Sequence, residues 1–127
     1  MPNEVELITV PVAIQTRNKL DQMHWAVRHR LKKQYSLLVR SQMNLNKIKK
    51  ANPGDVYKLS ILTFRKYRIR DYDNLVGGCK QLLDALTDEA FIWDDDTKFI
   101  GKPKVRQEQS KIESTIISRV LIKKGCE

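Results

Sequence analysis

The chain has very little cysteine. Cys79 and Cys126 lie far apart with no C-x-x-C spacing, which argues against a disulfide framework and against a thiolate zinc site; both thiols are expected to be reduced, with Cys79 in the core. Histidine is equally scarce. His24 and His29 are five apart, a spacing that does not stack two imidazoles on one helical face, so a histidine metal site is not indicated. Long apolar runs are missing too: no segment approaches the roughly 18 apolar residues of a membrane span, and residues 1–6 (MPNEVE) carry neither a basic leader nor an apolar stretch. These absences predict a soluble, cytoplasmic protein with no membrane partner, and no small-molecule cofactor is expected. Neither low complexity nor an internal repeat is visible. What is present suffices for one modest core, since 127 residues that are 41% hydrophobic predict a single domain over 1–127.

Acidic residues are outnumbered, 15 against 24 Lys and Arg, for a formal net charge of +9. The imbalance is uneven. Residues 17–50 hold ten cations (Arg17, Lys19, Arg28, Arg30, Lys32, Lys33, Arg40, Lys47, Lys49, Lys50) against one acid, Asp21. A second cluster comprises Lys58, Arg65, Lys66, Arg68 and Arg70. Basic faces of this density suit a polyanion whose phosphates they neutralise, although a solvated helix face that maintains solubility carries the same charge. Directly after Arg70, residues 71–96 hold eight of the 15 acids and a single cation, Lys80. Carboxylates so crowded repel one another and need compensation, most simply from a divalent cation.

Hydrophobic spacing places these features on elements. Residues 4–12 alternate, with Val5, Leu7 and Val10 as apolar positions, and predict a first strand ending near Pro11. From Asn18 or Asp21, the positions Met23, Val27, Leu31 and Leu38 recur at helical spacing, flanked by Ala26 and Tyr35; they predict one long basic helix that stops before Asn52-Pro53-Gly54. Residues 56–64 (VYKLSILTF) are β-branched and aromatic, and predict a largely buried second strand. Leu75, Cys79, Leu82, Leu83 and Leu86 form the stripe of a second helix across the acidic run, weakened at Gly77-Gly78 by about 1 kcal/mol per glycine relative to alanine. After a turn at 93–96, residues 97–105 and 111–123 predict third and fourth strands, the last with Ile112, Ile116, Val120 and Ile122 on one face. The order β-α-β-α-β-β predicts an α+β (or α/β) fold, a small mixed sheet packed with two main helices.

Three readings compete for Asp71-Tyr72-Asp73-Asn74. An EF-hand loop also begins D-x-D, but it needs a glycine at its sixth position and a glutamate at its twelfth, where this chain has Val76 and Leu82. That reading fails. The second is a helix N-terminus capped by Asp73 or Asn74. The third is a metal site, in which Asp71 and Asp73, at i and i+2 of extended backbone, point the same way and Asp94, Asp95 or Asp96 supplies a third carboxylate. Hard oxygen donors favour Mg²⁺, with Mn²⁺ as a substitute, over zinc. Lys80 is read either as an i,i+4 partner of Asp84, contributing roughly 0.3–0.5 kcal/mol, or as an ammonium beside a reacting phosphate.

The run Asp71-x-Asp73-Asn74-Leu75, then Lys80, then Asp84-Ala85-Leu86, then Asp94-Asp95 resembles the RusA family of Holliday junction resolvases, small endonucleases frequent in phages and prophages. The likeness covers about a quarter of the chain closely. It implies a homodimer that binds branched DNA, a four-way junction, and nicks two strands symmetrically with Mg²⁺ or Mn²⁺ in a bacterial or phage-infected cell. By this resemblance Asp71, Asp73 and Asp95 are the metal-binding acids and Lys80 is the essential lysine, with Asp84 in a structural role. Arg68 and Arg70, together with Arg28, Lys32 and Lys33 of the basic helix, are expected to hold the DNA backbone. Two departures stand out. The lysine lies three residues later than in the family, so Val76-Gly77-Gly78 reads as an insertion, whose glycines would let backbone approach a phosphate. Residues 11–18 (PVAIQTRN) match poorly a Pro-Pro-Ser/Thr-x-Asn segment that the family often shows. A non-catalytic nucleic-acid-binding protein of the same fold, and a nuclease for other branched DNA, are the alternatives.

Overall fold

Side-chain alternation builds the sheet, and its two periods of burial decide which face receives the helices. The computed structural model describes residues 4–125. In chain order the elements are β1 (Val5–Val10), α1 (Arg17–Gln22), α2 (Trp25–Leu45), β2 (Val56–Arg65), α3 (Tyr72–Gly77), α4 (Lys80–Asp88), α5 (Thr97–Ile100), β3 (Lys104–Gln109) and β4 (Ser114–Lys123). The fold is α+β. Its four strands lie in the order β1-β4-β2-β3, antiparallel except for the parallel β2–β3 pair, so the sheet is mixed.

One face of the sheet carries Ile8, Val10, Leu59, Ile61, Val105 and Ile117 into a core shared with Tyr35, Val39 and Met43 of α2 and Leu75, Leu82, Ala85 and Leu86 of α3 and α4. Each large apolar side chain so buried contributes roughly 1.5–3 kcal/mol. The other face is open, with Val5 61% and Leu7 50% exposed beside the half-buried Ile116, Val120 and Leu62. The expected first strand therefore forms, but Ile8 and Val10, not Val5 and Leu7, enter the core. Likewise Ile116, Val120 and Ile122 do share a face of β4, and it is the open one; Thr115, Ile117 and Arg119 point inward, and Ile112 lies before the strand.

Three further expectations change. The long basic helix is two helices, because Met23 takes an extended conformation and His24 caps α2, its Nδ1 accepting from the Ala26 amide at 3.2 Å. It ends at Leu45, where the Asn46 side chain donates to the Gln42 carbonyl at 2.9 Å. The helix across the acidic run is broken at Gly78 and Cys79 into α3 and α4. Residues 97–105 are not a strand: the Asp96 carboxylate accepts from the Lys98 amide at 2.9 Å and caps α5, Gly101 turns the chain at φ 60°, and β3 begins only at Lys104. Cys79 is a buried free thiol, as expected, and Cys126 lies outside the described residues. Among the described residues no helix is long and apolar enough to cross a membrane.

Arg119 is the cation that sequence reading missed. It is 2% exposed, its guanidinium lies 4.7 Å from the Tyr57 ring centroid and 4.8 Å from that of Phe91, and it donates to the carbonyls of Phe91 and Lys49 and to Glu6. A buried charge is tolerable when hydrogen-bonded on every side and stacked on aromatic faces. Arg119 thereby ties β4 to β1, to the segment before β2, and to the segment that leads to Asp94, Asp95 and Asp96.

Candidate functional site

The segment joining β1 to α1 is fixed from below by a chain of hydroxyls. The Ile14 amide donates to Thr63 Oγ1 at 3.0 Å, and Thr115 Oγ1 gives its proton to the Val12 carbonyl at 2.7 Å. The 3.0 Å bond between the two hydroxyls must then run from Thr63 to Thr115. Arg65 also donates to the Ile14 carbonyl. This anchoring sets where α1 starts, with Thr16 Oγ1 accepting from the Lys19 amide at 3.0 Å.

Two glycines then let α1 approach the acidic run. A Cβ on Gly78 would collide with the Gln15 carbonyl, and one on Gly77 would meet the Arg17 side chain. The close approach expected of this pair is thus made to the protein's own β1–α1 segment. Asn74, expected as a possible cap of its own helix, instead accepts from the Asn18 amide of α1 at 2.9 Å. The cap of α3 is Asp71, which accepts from the Asp73 amide at 3.0 Å.

The result is a cleft of about 370 Å³ between α1, the start of α2, and α3–α4, lined among others by Arg17, Arg28, Gln81, Lys80 and Asp95. Lys80 and Asp95, paired by the sequence resemblance, share this cleft with Arg28. Arg17 joins them; its only sequence signal was membership of the basic run. The Lys80 side chain is 72% exposed, with its ammonium 3.9 Å from Asp84, so the i,i+4 contact is present and too long and solvated to hold it firmly. Asp95 is half-buried. Its carboxyl is pushed above the usual range, first by partial burial, then by the Asp94 side chain and by the charges of Asp84 and Asp94. Of the triplet, Asp95 is the member that lines the cleft; Asp94 Oδ1 accepts from the Asp95 amide at 2.7 Å and Asp96 Oδ1 makes its capping bond.

Asp71 and Asp73 do not line that cleft. Asp71 is extended, φ −97° and ψ 120°, but Asp73 already belongs to α3, so the two are not an i,i+2 pair on one strand face. Among the described residues no group of three or more His, Cys, Asp or Glu is arranged to hold a metal ion. The donor chemistry, carboxylate oxygens crowded at Asp95, fits a hard cation; the arrangement leaves Asp71 and Asp73 apart from it.

The expected DNA contacts, Arg28, Lys32, Lys33, Arg68 and Arg70, and their neighbour Arg40 divide into two sets. Lys32 is bound to Asp88 at 2.9 Å, a bond that raises its pKa, and Arg40 grips Glu89 through two bonds of 2.7 and 3.2 Å. These pairs join α2 to the end of α4 and give Asp88 and Glu89 structural roles. Arg28 lines the cleft, and Lys33, Arg68 and Arg70 are exposed. Comparison of the sequence with protein-family models and with curated proteins finds no match.

Proposed function

We propose that this chain is a metal-dependent endodeoxyribonuclease acting on branched DNA, a Holliday junction resolvase of the RusA type that works as a homodimer. The observation that carries the reading is the cleft: Lys80 and Asp95, fifteen residues apart in sequence, meet there with Arg17 and Arg28 from the basic segment. Three cations against two carboxyls, Asp95 and Asp21, the latter 3.8 Å from Arg17, leave a net positive cleft that suits a phosphodiester, whose hydrolysis builds negative charge on the phosphate oxygens. Arg17 and Arg28 hold the strand by its phosphates. The Lys80 ammonium neutralises charge on the reacting phosphate, and its solvated stem lets it swing away from Asp84 to do so. Asp95 orients water by accepting a hydrogen bond. By the resemblance Asp71, Asp73 and Asp95 would hold Mg²⁺ or Mn²⁺, which when bound lowers the pKa of water and adds positive charge at the phosphate. Of the three only Asp95 lines the cleft, so Asp71 and Asp73 would have to be brought to it for one ion to be shared. Asp71 keeps Oδ2 outside its capping bond, which engages Oδ1.

Two symmetric cuts need two sites related by a two-fold axis. The open sheet face, with Val5, Leu7 and Ile122 exposed, supplies apolar surface of the kind homodimers bury.

The test compares a labelled four-way junction with a linear duplex of equal length in Mg²⁺, for the wild type and Asp73→Asn. Junction cleavage by the wild type and its loss in Asp73→Asn, with binding retained, is the expected result. A junction that is bound and left intact by the wild type sinks the nuclease assignment. The separation of Asp71 and Asp73 from the cleft favours a second reading, a nucleic-acid-binding protein without catalysis. Binding in that case is insensitive to Mg²⁺ and unchanged by Asp73→Asn.

A further inference from the structure

The segment between β2 and α3 carries an exposed aromatic ring that neither the core nor the cleft uses. Tyr67 is 78% exposed and stands between Lys66 and Arg68. Beside it is a shallow, open cleft, about 410 Å³, lined by Lys66, Tyr67, Gln109, Ser110 and Lys111. The loop that presents the ring is held in place. Gln107 clamps Ile69, accepting from its amide at 2.8 Å and donating to its carbonyl at 2.6 Å. Gln109 donates to the Lys66 carbonyl at 3.0 Å, Arg65 donates to the Tyr67 carbonyl at 2.9 Å, and the Ser110 amide donates to the Arg65 carbonyl at 2.8 Å. The nearby carboxylate of Glu113 is turned to the Lys66 amide, 3.2 Å away. The backbone is therefore fixed by side chains of β3 and the turn beyond it, while the phenol ring faces solvent amid Lys66, Arg68 and Lys111.

A rigid loop holding a solvent-facing ring among cations has the two parts of a single-strand site. The ring stacks on the face of a base, whichever base it is, and the cations meet the phosphates on either side. A paired base inside a duplex offers no free face. We propose that Tyr67 and its cleft hold one unpaired nucleotide, its base stacked on the ring and its phosphate met by Lys66 or Lys111. The inference rests on the proposed action on branched DNA and narrows it: the feature recognised here is an unstacked base at the branch, four residues before Asp71 in the chain.

The test measures fluorescence anisotropy of a labelled oligo-dT and of a duplex of equal length, in EDTA, for the wild type, Tyr67→Ala and Tyr67→Phe. Loss of one stacked base weakens binding about 5- to 150-fold. Tyr67→Ala is expected to weaken oligo-dT binding by that factor and duplex binding less than twofold, with Tyr67→Phe close to the wild type. The proposal is overturned if the wild type does not bind oligo-dT, if Tyr67→Ala binds it as tightly as the wild type, or if both probes lose equally. No cleavage enters the readout, so failure of the nuclease reading would show separately, as an intact junction with oligo-dT binding preserved.

Discussion

Arg119 Nη1 donates to the main-chain carbonyl of Phe91 at 2.7 Å, while the Phe91 ring lies under the same guanidinium. One residue thus both satisfies and stacks on the buried charge. Arg119→Ala removes the charge, two carbonyl bonds and the packing at once, and is expected to destabilise the fold by about 3–5 kcal/mol, read from the urea midpoint. Because Phe91 begins the segment that carries Asp95, the milder Arg119→Lys is expected to depress cleavage more than its stability loss explains. An Arg119→Ala midpoint equal to the wild type would refute the clasp.

The two adjacent glycines give a second, internal comparison. Gly78 has an ordinary right-handed helical backbone, φ −69° and ψ −15°, so Gly78→Ala is strained only by the Gln15 carbonyl. Backbone cannot give way cheaply, and the cost is expected to be about 1–3 kcal/mol. Gly77→Ala meets the Arg17 side chain near its root, Cβ and Cγ at 2.9 Å and Cδ at 2.5 Å, a milder overlap than that of Gly78→Ala with a backbone oxygen, and costs less. The two thermal midpoints decide it; equal losses would mean that the Gln15 contact is not the constraint.

Lys80 separates structure from chemistry. Its pair with Asp84 is long and exposed, so Lys80→Met should change stability by no more than about 0.5 kcal/mol. In its proposed role as the cation at the reacting phosphate, Lys80→Met should cost about 100- to 1,000-fold in cleavage rate. Single-turnover kinetics on a four-way junction, alongside a denaturation curve, measures both quantities. An unchanged rate would return Lys80 to its helical ion pair.

Burial pushes the Tyr35 phenol up to about 12 from 10.0, and the Cys79 thiol up to about 12 from 9.0. Both groups are neutral in the folded core and ionise more readily once unfolded. Their contribution is full below pH 9 and is lost as pH rises towards 12. The urea midpoint should therefore hold between pH 7 and 9 and fall steadily above it. Tyr35→Phe should flatten that fall, by up to about 3 kcal/mol across the window. A midpoint unchanged at pH 11 would contradict the burial of these groups.

What could be read from the sequence follows from how local each cause is. VYKLSILTF announces β2 because β-branched and aromatic side chains suit a strand wherever they pack, and Leu82 and Leu86 mark the inner stripe of α4 by spacing alone. The face of β4 could not be chosen, since the open set Ile116, Val120 and Ile122 is the more apolar one, while the inward set is Thr115, Ile117 and Arg119, the last with partners 28, 70 and 113 residues away. The break before α2 was hidden because histidine is an unusual cap. TKFI reads as a strand until the Asp96 side chain turns it into a helix. At the site, the motif pointed to Lys80 and Asp95, but the entry of Arg17 into their cleft depends on Gly77 and Gly78 touching a segment some sixty residues earlier in the chain.

The pairing of α2 with α4 also shapes how quickly a partner arrives. Arg40, towards the C-terminal end of α2, spends its charge on Glu89, and Lys32 on Asp88, whereas Arg28, Arg30 and Lys33 have no acidic partner within 4 Å among the described residues. The helix macrodipole adds positive potential at the same N-terminal end. The neutralised middle of α2 therefore lies between two positive ends, Arg28, Arg30 and Lys33 on one side and the exposed Lys47, Lys49 and Lys50 beyond Leu45 on the other. A polyanion diffusing in would be turned towards these ends before any contact forms, and added salt would slow its arrival more than its departure.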